Sequence, residues 1–364
     1  MQEDFHYYGT FCASALAGFS FEESLTIAYS AQLVDLCSKT FLTKLRAPAA
    51  ASTTMLSMEM MDQRTDIPGL QYITEVWASF HFLPGDLYAK VKWRPKCYMD
   101  KYRLICRPDS DLAVRTVKLA KGSSLQHMGI AMHVIADTWA HAYFAGTPSL
   151  VINNTDGEFY EIFPGDVPDK KIRFVHKTSL PDDLENSVYI NSLYQMSENS
   201  VMNLGHGRAG HLPDYSFARY RYQPAWGGYR EIIKDNPSDY RRAFSQMVYA
   251  LSYLRGDEDD FVKGVYDTRI LPVYEERIGG IIDKRRLSAS EDWKEYGQEL
   301  CGFDIPDFDL TLYQREYMEA DKKDDTFLGR FFSGAIAHKG MVTGEIFDSG
   351  NFIAGIMRKR GGRK

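Results

Sequence analysis

The 364-residue chain contains no apolar run approaching the roughly 18 residues a helix needs to cross a bilayer, so no transmembrane segment is expected. Its opening, MQEDFHYYGTFC, places Glu3 and Asp4 where an export leader needs a basic region, and no apolar stretch follows. A cytoplasmic location is expected, with leaderless export as the other route. Cysteine is sparse: Cys12, Cys37, Cys97, Cys106 and Cys301 fall at irregular spacings without a C-x-x-C pair. That excludes a zinc ribbon and a dithiol redox motif. Reduced, buried thiols are the simplest reading, and Cys97 and Cys106 could pair in an oxidising setting. Positive charge is also short. A net charge of -6 argues against general nucleic-acid binding, and no basic groove for long nucleic acids is visible. The clearest basic stretch is the end, MRKRGGRK (Met357 to Lys364), a solvated tail or a local anion contact.

Several catalytic signatures are missing as well. There is no H-E-x-x-H, which removes the zincin proteases, and no His-Asp dipeptide, which removes the HD phosphohydrolases. No expected helix carries E-x-x-H, as a ferritin-like di-iron bundle requires. Neither a P-loop nor a nucleophile elbow occurs, and no dinucleotide-binding unit is expected. No internal repeat, low-complexity tract or Gly/Ser linker divides the chain.

What is present is material for a large core: 44% hydrophobic residues, with 23 Tyr and 21 Phe. Ser20 followed by Glu23 forms a capping box, which predicts a helix from Phe21 to about Cys37. Further helices are expected over Gly69–Phe82, Asp111–Phe144, Asp183–Leu204, Ser238–Leu254, Asp257–Ile278, Ser288–Leu300, Leu310–Asp321 and Thr326–Phe347. Strand signals are few: RLICRP (Arg103 to Pro108) and GEFYEIFPG (Gly157 to Gly165) suit short strands or a hairpin. The expectation is an all-α fold, a helical domain over 1–300 with an irregular excursion at 147–181, followed by a C-terminal helical extension over 301–364 that ends in the basic tail.

Within it, QHMGIAMHVIADTWAHAYFAG (Gln126 to Gly146) sets His133, Asp137 and His141 at four-residue steps among apolar neighbours. Each residue of a helix advances about 100°, so the three form a drifting stripe about 12 Å long. Two imidazoles and a carboxylate on one face suit a divalent metal such as zinc. One helix cannot complete a coordination shell. The other candidate donors are His6, Asp35, His81 and the segment GHGRAGHLPD, with His206, His211 and Asp214. His127 lies too far along the axis to share a metal with His141, and His176 and His338 have no supporting context. Arg208 and Arg219 are candidates for contacting phosphate, and Trp139 reads as core.

The N-terminal His in DFHYYG, the upstream Asp35 and His81, the His-x-x-x-Asp helix and the downstream GHG..G..PD together resemble the zinc-dependent phospholipase C and S1/P1 nuclease superfamily. Within it, they look closest to an uncharacterised bacterial branch. The resemblance runs over about Asp4 to Tyr222. It implies a phospholipase C-like helical architecture around two or three zinc ions that hydrolyses phosphate esters. Carried over residue by residue, Asp35, His81, His133 and Asp137 would hold one zinc. Asp137 would bridge to a second held by His6. His141 would join His206 or His211, with Asp214, at a further metal. Asp137, Asp35 and Asp214 would be the catalytic carboxylates. In the secreted enzymes of that superfamily an N-terminal tryptophan completes one zinc site through its amine and carbonyl; this chain has no tryptophan at its start. The substrate expected is a phospholipid, nucleotide or small phosphoester. The alternatives are a metal-dependent hydrolase of another bond, such as an amide, or a protein in which zinc is purely structural.

Overall fold

The structure, a computed structural model, describes residues 1–364 apart from 64–65, 177–179, 192–202, 229, 267–270 and 355–364, and apart from the side chains of 271–273. Among the described residues it is mostly helical, with thirteen α-helices and a few short strands. No described helix is long and apolar enough to cross a membrane.

The organising element is the helix Leu125–Ala140, whose residues from Gln126 onward are all buried. A helix that is buried all round cannot show an amphipathic stripe, and its neighbours explain the burial. Helices Phe21–Leu33, Asn236–Arg255, Phe327–Asp348, Asp111–Ala120 and Ile67–Phe80 all pack on it. The expected Asp111–Phe144 helix is therefore two helices. Gly122 takes a left-handed φ of 72°, and Ser124 caps the second helix by accepting from the His127 amide, so the chain turns where the apolar pattern alone runs on.

The Ser20–Glu23 capping box is formed in both directions, and its helix runs Phe21–Leu33 before turning. Ile67–Phe80, Asn236–Arg255, Ser290–Cys301, Thr311–Glu319 and Phe327–Asp348 lie where helices were expected. The helix expected over Asp183–Leu204 does not form in its described part. Val188–Ile190 instead pairs in parallel with Arg173–Val175, because Tyr189 and Ser187 donate to the buried carboxylate of Glu161 and tertiary bonding overrides helix propensity. Asp257 to Val265 is likewise not helical, and helix resumes at Leu271–Ile282. The short helices Thr10–Leu16, Lys39–Leu45, Ser57–Gln63 and Lys96–Tyr102 were not anticipated. Arg103 to Pro108 supplies only isolated bridges, Ile105 to Ala145 and Cys106 to Pro84.

A small antiparallel sheet orders Lys170–Lys171, Tyr160–Glu161, Arg219–Tyr222 and Ile232–Asp235. It pins the end of the central helix: the Lys234 ammonium, buried in the last strand, donates to the Trp139 carbonyl at 2.8 Å and to Asp239, a cation at a helix C-terminus. The C-terminal helix Phe327–Asp348 shares the same buried cluster as the central helix through Leu328, Phe331, Ala335, Val342 and Ile346. The five cysteines are free; Cys97 is exposed while Cys106 is buried. The basic tail, Met357 to Lys364, lies outside the described residues.

Candidate metal centre

The candidate ligands sit where helices begin, end or widen. His6 lies in a π-helical turn, Asp4–Gly9, a form frequent at functional sites. Phe5 holds this turn in place by packing edge-on against Tyr240 and Trp293, with ring centroids 4.9 and 5.8 Å away. Asp35 follows the end of Phe21–Leu33, His81 caps the end of Ile67–Phe80, and His141 caps the central helix that carries His133 and Asp137. His206 and Asp214 flank two short 3-10 turns, Gly207–Ala209 and Leu212–Asp214. The G-x-G-x-x-G spacing of Gly205, Gly207 and Gly210 thus lies in turns, not between a strand and a helix, and makes no dinucleotide cradle. Glu3 stands three residues before His6 at the start of the π turn, but it is exposed and does not join the site.

These positions converge. Among the described residues, ligand atoms lie within 4.8 Å of one another in each of three groups: His6, His133 and Asp137; Asp35, His81 and His133, which shares His133 with the first; and His141, His206 and Asp214. Asp137 is central and buried. Its Oδ1 is 3.1 Å from His6 Nε2, and its Oδ2 is 3.2 Å from His81 Nδ1 and 3.1 Å from His133 Nε2. His141 Nε2 lies 3.1 Å from Asp214 Oδ1, and His206 Nε2 lies 3.8 Å from the other oxygen of Asp214.

The outward nitrogens decide what the inward ones offer. His133 Nδ1 is 2.9 Å from the Ala31 carbonyl, His141 Nδ1 is 2.7 Å from the His81 carbonyl, His206 Nδ1 is 2.8 Å from the Gly210 carbonyl, and His81 Nε2 is 3.0 Å from the Thr53 carbonyl. A carbonyl only accepts, so each of these nitrogens carries the ring proton and donates. A neutral ring then turns a lone pair inward, toward carboxylate oxygens that are also acceptors. His6 is fully buried and pushed down to about 4 by burial, by His133 and by the Met1 amine; His206 is pushed down to about 4 by burial first, with Asp214 opposing. Both are neutral near pH 7. At His206, whose proton is held by the Gly210 carbonyl, a lone pair therefore faces the Asp214 carboxylate, which a cation between them would relieve, whereas His6, with no partner at Nδ1, can donate from Nε2 to Asp137.

Charge supports the same reading. Burial opposes ionisation of Asp137, yet His141, the Met1 amine, His133 and His6 hold its carboxyl well below the usual range. Asp214 is held low against burial by the Met1 amine, His206 and His141. The α-amine of Met1 lies 2.9 Å from Asp137 Oδ1, 3.2 Å from Asp214 Oδ1 and 3.3 Å from His141 Nε2. Burial works against its charge, but Asp137, Asp214 and Asp35 raise it to about 11.

Two glycines shape the site. A methyl at Gly129 would lie 2.3 Å from the Ile27 carbonyl oxygen and 2.5 Å from Ser30 Cβ. Only glycine lets the two helices approach closely enough there for His133 to reach Ala31. Gly210, with φ of 55°, would meet the Ile190 carbonyl at 2.2 Å if it carried a Cβ, and its own carbonyl fixes His206.

His211 stands apart from the three groups. Its Nδ1 is 3.2 Å from Asp182, and Tyr215 donates to the same Asp182 oxygen at 2.7 Å. The bond from His211 lifts its imidazole pKa. His211 is half exposed in a cleft of about 310 Å³ lined also by Gln2, Leu180, Pro181, Ile190 and Leu287. Asp182 directly follows the irregular excursion, and no pattern in the sequence marks it.

The remaining candidates lie elsewhere. Arg208 is buried and donates to Asn203 at 2.7 Å, while Arg219 pairs with Asp235 on the neighbouring strand at 3.0 Å. Trp139 is core and donates to Gln246. His176 lies 3.3 Å from the Asn191 carbonyl. His338, unsupported by its sequence context, is fully buried and bonds the Ser79 carbonyl at 2.8 Å, two residues before His81.

A family model matches residues 1–346; it describes a family of unknown function, DUF6765. No curated protein and no solved structure matches the chain.

Proposed function

Because the chain belongs to the DUF6765 family of unknown function, its activity has to be read from the site, and we propose that it is a phosphoesterase built around two or three divalent ions. The observation that carries this reading is the set of four imidazoles tethered outward to backbone carbonyls, with their other nitrogens turned toward Asp137, Asp35 and Asp214. Imidazole and carboxylate donors in this proportion suit zinc. A phospholipase C-like arrangement is part of the proposal, supported by the same residues and by the mostly helical fold.

Asp35, His81 and His133 would hold one ion, Asp137 and His6 a neighbouring one, and His141, His206 and Asp214 a third. Ions held there would supply Lewis acidity, lowering the pKa of water and offsetting charge on a phosphoryl group. The chain's own residues do the rest. Asp137 keeps the groups together from a rigid helix. Asp214, partly open to solvent, is placed to orient a nucleophile. His211, steadied by Asp182 and Tyr215, offers a proton or a cationic contact to the leaving oxygen, and the apolar walls of its cleft suit the organic part of a phosphoester.

The test is metal content by mass spectrometry followed by turnover of bis-p-nitrophenyl phosphate, p-nitrophenylphosphorylcholine and a neutral p-nitroanilide. Two or three divalent ions per chain with phosphodiester turnover are expected. Fewer than one ion per chain overturns the metal centre. Ions with amide turnover alone would make the protein another kind of hydrolase. Ions with no turnover on any substrate would make the centre structural.

A further inference from the structure

The residues after His81 leave the metal centre and form a loop, 86–95, that leads into the helix Lys96–Tyr102. The loop is rooted by buried Leu87 and by the Arg103 guanidinium, which donates to the Ala89 carbonyl at 3.1 Å. Its outer half is another matter. Trp93 is 99% exposed, with a left-handed φ of 63° that turns it out at the tip, and Tyr88 is 65% exposed. Lys90, Lys92, Arg94 and Lys96 are exposed around it.

Charge here runs opposite to the molecule. From Asp86 to Arg103 the chain has six cations, Lys90, Lys92, Arg94, Lys96, Lys101 and Arg103, against Asp86 and Asp100, in a protein of net charge -6. Asp100 is paired with Lys96. No ion pair among the described residues takes up Lys90, Lys92 or Arg94, and Arg94 lies over the Tyr98 ring. The patch continues into apolar surface. The Lys96 ammonium sits 5.9 Å from the Phe352 ring, and Phe352 lines a cleft with Ile67 and Leu70 that Lys101 also borders. Ile67 is 73% exposed and Phe352 49%.

We propose that this loop docks the protein on an anionic lipid surface. An indole with one wet edge settles at the boundary between headgroups and acyl chains. Lysines and arginines around it bury their stems and reach lipid phosphates and carboxylates. The convex shape decides against nucleic acid. A single-strand site needs a groove that tracks a backbone, whereas here one ring projects, and the surface that Lys96 joins to Phe352, with Ile67 and Leu70 in the same cleft, is apolar area that lipid covers and a phosphate backbone does not. The inference is independent of catalysis.

The test is flotation of the full, metal-loaded protein with vesicles of phosphatidylcholine alone and of phosphatidylcholine with 30% phosphatidylglycerol, in low and high salt. Binding to the anionic vesicles is expected, falling with salt, together with a blue shift of tryptophan emission that is lost in Trp93→Ala. The triple variant Lys90→Glu, Lys92→Glu, Arg94→Glu should partition at least about 100-fold less, from roughly fivefold per removed charge, while keeping wild-type circular dichroism and metal content. No binding to anionic vesicles, or equal binding by the triple variant, overturns the proposal. So does Trp93-independent binding that single-stranded RNA displaces, which would make the patch a polyanion site.

Discussion

At the scale of single residues, Asp137 is where most depends on one side chain. It is buried, three imidazole nitrogens lie within 3.2 Å of it, and so does the Met1 amine. Asp137→Asn keeps the shape and removes the charge. It should lose at least one metal ion per chain and lower phosphodiester turnover by about 10³-fold or more, since even outer partners of metal ligands are worth roughly 10–100-fold. His211→Gln should behave differently: wild-type metal content, with kcat/KM down by about 10²-fold, in the range of a lost general acid. Equal metal loss in the two variants would put His211 back among the ligands. The His133, Asp137 and His141 stripe was legible because helical periodicity alone puts residues four apart on one face. The choice between His206 and His211 was not. It depends on the left-handed backbone at Gly210 and on Asp182, which arrives from a segment without periodicity. The Met1 amine carries no side-chain signature at all.

At the scale of elements, the contact between Phe21–Leu33 and Leu125–Ala140 sets how far His133 is from its tether. Gly129→Val would drive the helices apart against the Ile27 carbonyl. The expected cost is about 1–3 kcal/mol, as for other overpacked contacts, read from the urea midpoint, together with weaker metal binding because Ala31 moves from His133. An unchanged midpoint and metal affinity would show that the approach is not needed. Helix existence was readable from patterning and caps, as at Ser20 and Glu23. Breaks were harder: Gly122 and Ser124 interrupt a hydrophobic run that reads as continuous, and Val188–Ile190 becomes a strand through Glu161, which lies far away in sequence.

At the scale of the whole molecule, burial of neutral histidines outside the centre ties stability to pH. His127 and His338 are both pushed down to about 4, in each case by burial first. The unfolded chain takes up their protons as pH falls through about 6.5 while the folded chain resists until about 4. Stability is therefore full above 6.5 and is lost between those values, by up to about 1.4 kcal/mol per pH unit for each group. Urea unfolding of the chelator-treated protein at pH 7.5, 6 and 5 should show this decline, and the double variant His127→Gln, His338→Gln should flatten it. A decline unaltered in the variant would assign it to other groups. The C-terminal helix that carries His338 looked from the sequence like an extension, because its apolar residues do not reveal what they face. In the structure it packs on the central helix.

The tethered rings also govern what happens to hydrogen ions when the centre fills. His6 and His206 are pushed down to about 4 and the Asp137 and Asp214 carboxyls are held low, so these four ligands have no proton to give up on loading at neutral pH. The Met1 amine is the exception: charged beside Asp137 and Asp214, it must shed a proton before its nitrogen can bind an ion. Calorimetric zinc titrations of the apoprotein at pH 7, in buffers of contrasting ionisation heat, should give one apparent enthalpy if the amine stays an ion-pair partner. A difference equal to one proton per chain would make it a ligand.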